Sequence, residues 1–370
     1  MQVATQPVTI ASTAPVWVKC PVSAWIAQLY KQPKSLQALE GEAAHEMAQF
    51  VLSGEVESPN ELVDRAATNG VIFSREMVEP VTIYINEVRR GGPGFWVEES
   101  ISIETPHEPV TGRCDGANFY LDKELGFLRV IDFKYGYSTI EVDENWSMLA
   151  YSIDIATRLT EEGHEVNDVE LVIVQPRAYH HDGAIRSWSC SGAQLMRYHG
   201  LLMAAVEAVY SEDRECVTGN HCNKCNARAN CPVAKMAGMN GIDIAHAPLP
   251  DTDTPDQVAA LLDTLDRALD VIKHTRSAME ERAVNMISNG QVIPGRSMKP
   301  GKSHRKFTNE KETREYAKIM GISVDKNKEL CTPAEAVRRG LVVTGITHSP
   351  STAPKLVKYS AATQANKVLK

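Results

Sequence analysis

The sequence predicts an α/β or α+β fold, a central mixed β-sheet flanked by helices. Three observations predict it: two early helical stretches, three short alternating runs after them, and then a helix followed by one more apolar strand. That order can bury its apolar surface by layering helices on a sheet. The first 34 residues mix Pro, Thr and Ser with one apolar patch and read as a mobile start, leading to a short helix from Pro21 with Cys20 at its head. In LQALEGEAAHEMAQFVL, residues Leu36, Leu39, Ala43, Met47, Phe50 and Val51 fall at helical spacing, and Ser53-Gly54 ends the helix. A second helix is expected over about 75–90, closed by Gly91, Gly92 and Pro93. FWVEESISIE then alternates Val97, Ile101 and Ile103 with polar residues, followed by TGRCDGANFYLD and, past a turn at 123–126, GFLRVIDFKYG. Runs of this kind predict an antiparallel meander. A helix at about 143–162, the strand VELVIVQPR and a helix at about 192–211 lead to a cysteine-rich segment. Beyond it, AHAPLPDTDTPD reads as a linker, a long amphipathic helix covers about 255–288, and the remainder holds one helix at about 309–320 with little other apolar pattern. The expected domains are 1–240, 241–290 and 291–370.

The composition narrows the function classes. The 370 residues carry 39 basic and 47 acidic side chains, net −8, enough chain for two or three domains. No apolar run approaches the roughly 18 residues of a membrane span, and the N-terminus lacks a basic flank before a continuous apolar stretch. A cytoplasmic protein with no membrane partner is expected, and disulfides are not. The charge is divided: residues 296–370 hold 16 Lys/Arg against 6 Asp/Glu, and the rest holds 23 against 41, or −18. The acidic part suits a divalent cation or a solvated surface, and the basic part suits a polyanion.

The chemistry concentrates in the meander. Asp115 lies on its second strand, in GRCDG, and Asp132 and Lys134 lie on its third, in VIDFKYG. Residues two apart on a strand share a face, so Asp132 and Lys134 point together. A hairpin would bring Asp115 to the same place. Two carboxylates beside an ammonium suit phosphodiester hydrolysis, with the carboxylates holding a divalent cation and Lys134 handling the nucleophile. The apolar residues Val130, Ile131 and Phe133 argue against a solvated surface pair, because unpaired buried charge is costly. His45, four residues after Gly41 on the first helix, offers an imidazole as a further ligand.

Cys222, Cys225 and Cys231 form a C-x2-C-x5-C pattern. A fourth ligand could come from Cys216, His221 or Cys20, and the spacing fits an iron–sulfur cluster or structural zinc equally well.

Taken together, His45, Gly112-Arg-Cys-Asp115-Gly, Ile131-Asp132-Phe-Lys134 and Tyr151 on the following helix resemble the RecB-type branch of the PD-(D/E)XK nuclease superfamily. One cysteine upstream of the histidine helix, with C-x2-C-x5-C after the core, is similar to its iron–sulfur exonucleases. The chain also resembles an uncharacterised phage and prophage family of similar length, sharing the segments HCNKCNARANC and IPGRSMKPGKSHRKF. The resemblance implies a restriction-endonuclease-like fold and a metal-dependent DNA exonuclease. It implies Mg2+ or Mn2+ on His45, Asp115, Asp132 and the Phe133 carbonyl, with Lys134 and Tyr151 catalytic. It also selects Cys20, Cys222, Cys225 and Cys231 for a [4Fe-4S] cluster and leaves Cys216 an ordinary thiol. DNA is the implied partner, with a phage single-strand-binding or annealing protein beside it. One position departs from the pattern, since the family's Gln four residues before the Tyr is Ser147 here. Other readings are a non-cutting nucleic-acid binder on the same fold, and an adaptor whose cysteines hold zinc.

Overall fold

In the computed structural model the three alternating runs form β1 to β3 of one five-stranded mixed sheet, ordered β1-β2-β3-β4-β5. The residues described are 4–30, 34–92, 94–247 and 254–299, with shorter stretches between 306 and 358. They fall into two compact units, 1–282 and 283–370. The first unit contains α1 (Ala14–Trp17), α2 (Ser23–Ile26), α3 (Leu36–Leu52), α4 (Arg75–Arg89), β1 (Phe95–Ile103), β2 (Val110–Asp122), β3 (Leu125–Phe133), α5 (Trp146–Glu161), β4 (Asp168–Val174), β5 (Ile185–Ser191), α6 (Gly192–Tyr210) and α7 (Pro232–His246). The long α8 (Pro255–Ser288) begins in this unit.

Strands β1 to β3 are antiparallel, and β2 returns as β3 through Lys123 and Glu124, both at positive φ (50° and 76°). This is the two-residue turn geometry that matches the twist of a hairpin, here made without glycine. Helix α5 then carries the chain across to β4, which pairs parallel to β3. Strand β3 is buried from Leu128 to Phe133 and feeds both layers. Its Leu128 and Val130 pack with the α5 and α6 residues, whereas Ile131 and Phe133 pack with α3 and α4.

The N-terminal segment corrects the expectation of a mobile start. Ala11, Ala14 and Trp17 are buried in the same core as α5. Trp17 Nε1 donates to the Ile10 carbonyl at 3.0 Å, and Trp25 Nε1 donates to that of Val209 at 2.8 Å. Small residues permit this docking: a Cβ on Gly112 would stand 2.8 Å from Ala11 Cβ.

Two elements escape the sequence pattern. In β5 the buried positions are Arg186 and Cys190 while Ile185 is exposed, which inverts the apolar alternation. The Arg186 Nη1 and Nη2 groups donate there to the carbonyls of Gly183 and Ile140 and to Gln175 Oε1, while its buried Nε has no hydrogen-bond partner among the described residues. In α7 the helix contains Gly238 and Gly241, poor helix formers that let α8 approach closely; a Cβ on Gly241 would lie 2.1 Å from Ala268 Cβ.

The second unit is more ordered than its sequence suggests. Its described part includes helices Glu310–Ile319 and Pro333–Arg338, and a strand pair Arg296–Lys299 with Lys355–Lys358. Ala317, Val324, Cys331, Ala336, Leu341 and Val343 form its small core. Those positions follow no single period, which is why they are faint in the sequence.

Candidate metal centre and cysteine site

The site begins where the sheet comes apart. Pairing of β2 with β3 runs from the turn only as far as Gly116 opposite Ile131. Beyond that pair, the Asp115 side chain replaces a backbone partner: the Phe133 N–H donates to Asp115 Oδ2 at 2.8 Å. The Tyr84 hydroxyl on α4 donates to the Asp115 carbonyl at 2.7 Å. On the other side, β1 pairs Val97 with Gly116 and Glu99 with Cys114 but skips Glu98, which faces Asp115. Glu98 has a left-handed backbone, φ 52°. For a residue with a Cβ this conformation costs about 1–2 kcal/mol and persists where its surroundings hold it.

His45 reaches this point from α3. The helix buries Ala43, Ala44, Met47, Ala48 and Val51, leaving His45 at the edge of that face. Its Nδ1 lies 3.6 Å from Asp115 Oδ1 and 3.5 Å from Glu98 Oε1, and one ligand atom from each of the three residues lies within 4.8 Å of the others. Burial lowers the imidazole's pKa, but Asp115 and Glu98 outweigh it and leave the net shift upward.

Asp132 is only 3% exposed. Lys134 Nζ lies 2.9 Å from Asp132 Oδ1 and 2.8 Å from Oδ2. Burial raises the Asp132 pKa against the lowering effect of Lys134. Burial lowers that of Lys134, but the charges of Asp132 and Asp115 more than offset it and hold the ammonium protonated. Tyr151 is buried on α5, and burial together with the Asp132 and Asp115 charges pushes its hydroxyl pKa far up. It is therefore a neutral donor near both carboxylates. Ser147 lies one turn earlier, its N–H donating to the Asn145 cap at 3.1 Å.

The arrangement therefore brings the ligand atoms of His45 and Asp115 together and adds Glu98, which the sequence reading passed over; Asp132, Lys134 and Tyr151 are near enough to feel the charge of Asp115, but Asp132 is not one of the close trio. The signal was present but ambiguous, because FWVEESISIE offers Glu98 and Glu99 side by side and Glu99 pairs instead with Arg158. The donor set of one imidazole and several carboxylates suits a hard or borderline divalent ion. Asp132 Oδ2, buried and without a well-angled hydrogen bond, retains capacity for a further bond.

The second cluster lies beyond α6. Cys20, Cys216, Cys222, Cys225, Cys231 and His221 line one cavity. Cys216 Sγ stands 3.7 Å from Cys231 Sγ. Hydrogen bonding from Cys216 lowers the pKa of Cys20 and of Cys231 against the effect of burial, which favours the thiolate, the ligating form. Among the described residues no three of these sulfurs lie within 4.8 Å of one another. Lys224, inside the C-x2-C loop, has its pKa lowered by burial and then by the nearby charge of Lys134.

No described helix is long and apolar enough to cross a membrane. The family model described as "Protein of unknown function (DUF2800)" matches residues 9–361. Among solved structures, the chain is similar to a candidate exonuclease from Eubacterium rectale, with 11% identity and a TM-score of 0.35 over 69% of this chain and 93% of that one. It is also similar to the protein SSO0001, with 12% identity and a TM-score of 0.23 over 56% of this chain and 92% of that one. Overlap at this level transfers neither residues nor activity from either protein.

Proposed function

For this chain, which belongs to the DUF2800 family, we propose a divalent-metal-dependent DNA nuclease of PD-(D/E)XK type acting as an exonuclease. The observation that carries the proposal is the convergence of His45, Glu98 and Asp115 where β2 and β3 part, beside a buried Asp132–Lys134 pair that feels the charge of Asp115. His45, Asp115, Asp132 and the Phe133 carbonyl would hold Mg2+ or Mn2+, with Glu98 as an additional carboxylate. When bound, such an ion polarises a phosphoryl oxygen and lowers the pKa of a water. The protein's own groups supply the rest. Asp132 fixes Lys134, whose ammonium orients the attacking water and offsets charge growing on the phosphorane oxygens. Tyr151, kept neutral, donates a hydrogen bond to a phosphate oxygen, and Phe133 and Tyr84 hold Asp115 in register.

The cysteine site is proposed to hold a [4Fe-4S] cluster on Cys20, Cys222, Cys225 and Cys231. Tetrahedral zinc would bring its thiolates to about 3.8 Å from one another, given Zn–S bonds of about 2.3 Å. The 3.7 Å between Cys216 and Cys231 is compatible with that spacing, so zinc is the alternative, and iron with acid-labile sulfide measured on the purified protein separates the two. The cluster would join the N-terminal segment to the loop after α6, a structural role. Work in phage recombination, replication or DNA end processing, beside a single-strand-binding or annealing protein, fits this activity. The Ser147 departure favours the second reading, a nucleic-acid binder on the same fold that no longer cuts.

The test is digestion of single- and double-stranded DNA labelled at the 5′ or the 3′ end, with and without Mg2+ or Mn2+. Metal-dependent, progressive shortening from one end is expected. Tight binding of DNA that remains intact would establish the second reading instead.

A further inference from the structure

At the tip of the β4–β5 hairpin, three successive side chains converge as metal donors. Ligand atoms of His180, His181 and Asp182 all lie within 4.8 Å of one another. His180 Nδ1 is 3.6 Å and His181 Nε2 3.1 Å from the same oxygen, Asp182 Oδ2. Donors around a tetrahedral ion with metal–ligand bonds of about 2.0–2.1 Å stand roughly 3.3 Å apart, so the spacing suits one small cation.

Two further contacts argue for a ligand in place of a chance triplet. The His180 side chain is 8% exposed, and its other nitrogen, Nε2, lies 3.4 Å from Glu141 Oε2, a residue 39 positions earlier in the chain. The negative charge beside Nε2 favours the tautomer that carries its proton there and leaves the Nδ1 lone pair available, as a carboxylate does behind metal-binding histidines. Among the described residues that lone pair accepts the Asp182 N–H, at 3.1 Å, a contact that an ion would replace. The rings of His180 and His181 stack at 4.3 Å, which brings both edges to the same side.

We propose that His180, His181 and Asp182 bind a borderline transition-metal ion, Zn2+ by preference, with Glu141 as the carboxylate behind His180. Two imidazoles and one carboxylate select such an ion over Mg2+, which takes oxygen ligands and gives up its waters reluctantly. The site has a mechanical consequence. The segment 136–142, which follows Lys134, is already sewn to this hairpin. Gln175 Nε2 donates to the carbonyls of Gly136 and Ser138, Ile140 N–H donates to Gln175 Oε1, and Thr139 Oγ1 donates to the Tyr179 carbonyl. An ion at His180 would strengthen the Glu141 contact and pin the same segment once more. The site is independent of the nuclease reading.

Tyr179, 90% exposed, precedes the site and provides a local probe. Full-length protein is digested with chymotrypsin, and cleavage after Tyr179 is followed by mass spectrometry in Zn2+, in Mg2+ and in EDTA. Zinc is expected to slow this cleavage at least tenfold in the wild type and in Asp115→Asn, and Mg2+ to leave it unchanged. His181→Ala removes an exposed side chain without disturbing the core, so its protection by zinc should vanish and it should retain one equivalent of zinc fewer than the wild type after desalting. Unchanged cleavage of the wild type in zinc, or equal protection of His181→Ala, would overturn the proposal.

Discussion

Glu98 sits opposite Asp115 with a left-handed backbone and its carboxylate beside His45. Glycine adopts that conformation without the Cβ penalty. Glu98→Gly should therefore leave the thermal midpoint unchanged or slightly higher while lowering Mn2+ affinity at least tenfold by calorimetry. Equal loss of stability and affinity would make Glu98 a structural residue only. Asp132 behaves differently. It is buried and its partner is a partly exposed lysine, so Lys134→Ala leaves a carboxylate with little compensation, and the loss of stability should reach about 1–3 kcal/mol. Lys134→Gln, which keeps a hydrogen-bond donor, should lose less in denaturant titrations and still lose activity. Asp115, Asp132 and Lys134 stand in a strand alternation that the sequence makes legible, whereas the role expected of His45 came from the family resemblance and not from its helix face. Glu98 was hidden because a kink, not a period, chooses it over Glu99.

The helices and strands that carry the site were equally readable where apolar period and burial agree. Leu36–Leu52 and Pro255–Ser288 match their expected bounds. Strand β5 and helix α7 were not, because β5 buries an arginine and α7 uses glycine to admit α8. The cysteine loop lies near the candidate site, since Lys224, between Cys222 and Cys225, feels the charge of Lys134. Lys224→Ala should keep the iron content and visible absorbance of the wild type but bind DNA more weakly in non-cutting Ca2+. Its plot of log affinity against log salt should be shallower by about 1, the loss of roughly one phosphate contact. On the proposed cluster, Cys231→Ser should lower the iron content, and the thermal midpoint by several degrees, because it would open a cross-link between segments about 200 residues apart, by analogy with a long disulfide loop. A Cys231→Ser protein with unchanged iron content would contradict the ligand assignment.

Across the whole molecule, net charge conceals how the chain is organised. Residues 1–295 carry −18 and include the proposed cation centre, while residues 296–370 carry +10. The small core of the second unit was illegible in the sequence because its six apolar residues are scattered. A chain ending at residue 290 should bind long DNA less tightly, with a flatter salt dependence, if the basic unit contributes phosphate contacts. The central claim is that one cation centre, with Lys134 beside it, hydrolyses DNA. Its most direct test is degradation of end-labelled duplex in Mg2+ by the wild type and by Lys134→Gln, with Mn2+ affinity measured on the same preparations. The wild type should degrade the duplex and stop when the metal is chelated, and Lys134→Gln should bind Mn2+ within a few-fold of the wild type yet cleave at least a hundredfold more slowly. Wild-type protein that leaves DNA intact, or a variant that cuts as fast as the wild type, would contradict it.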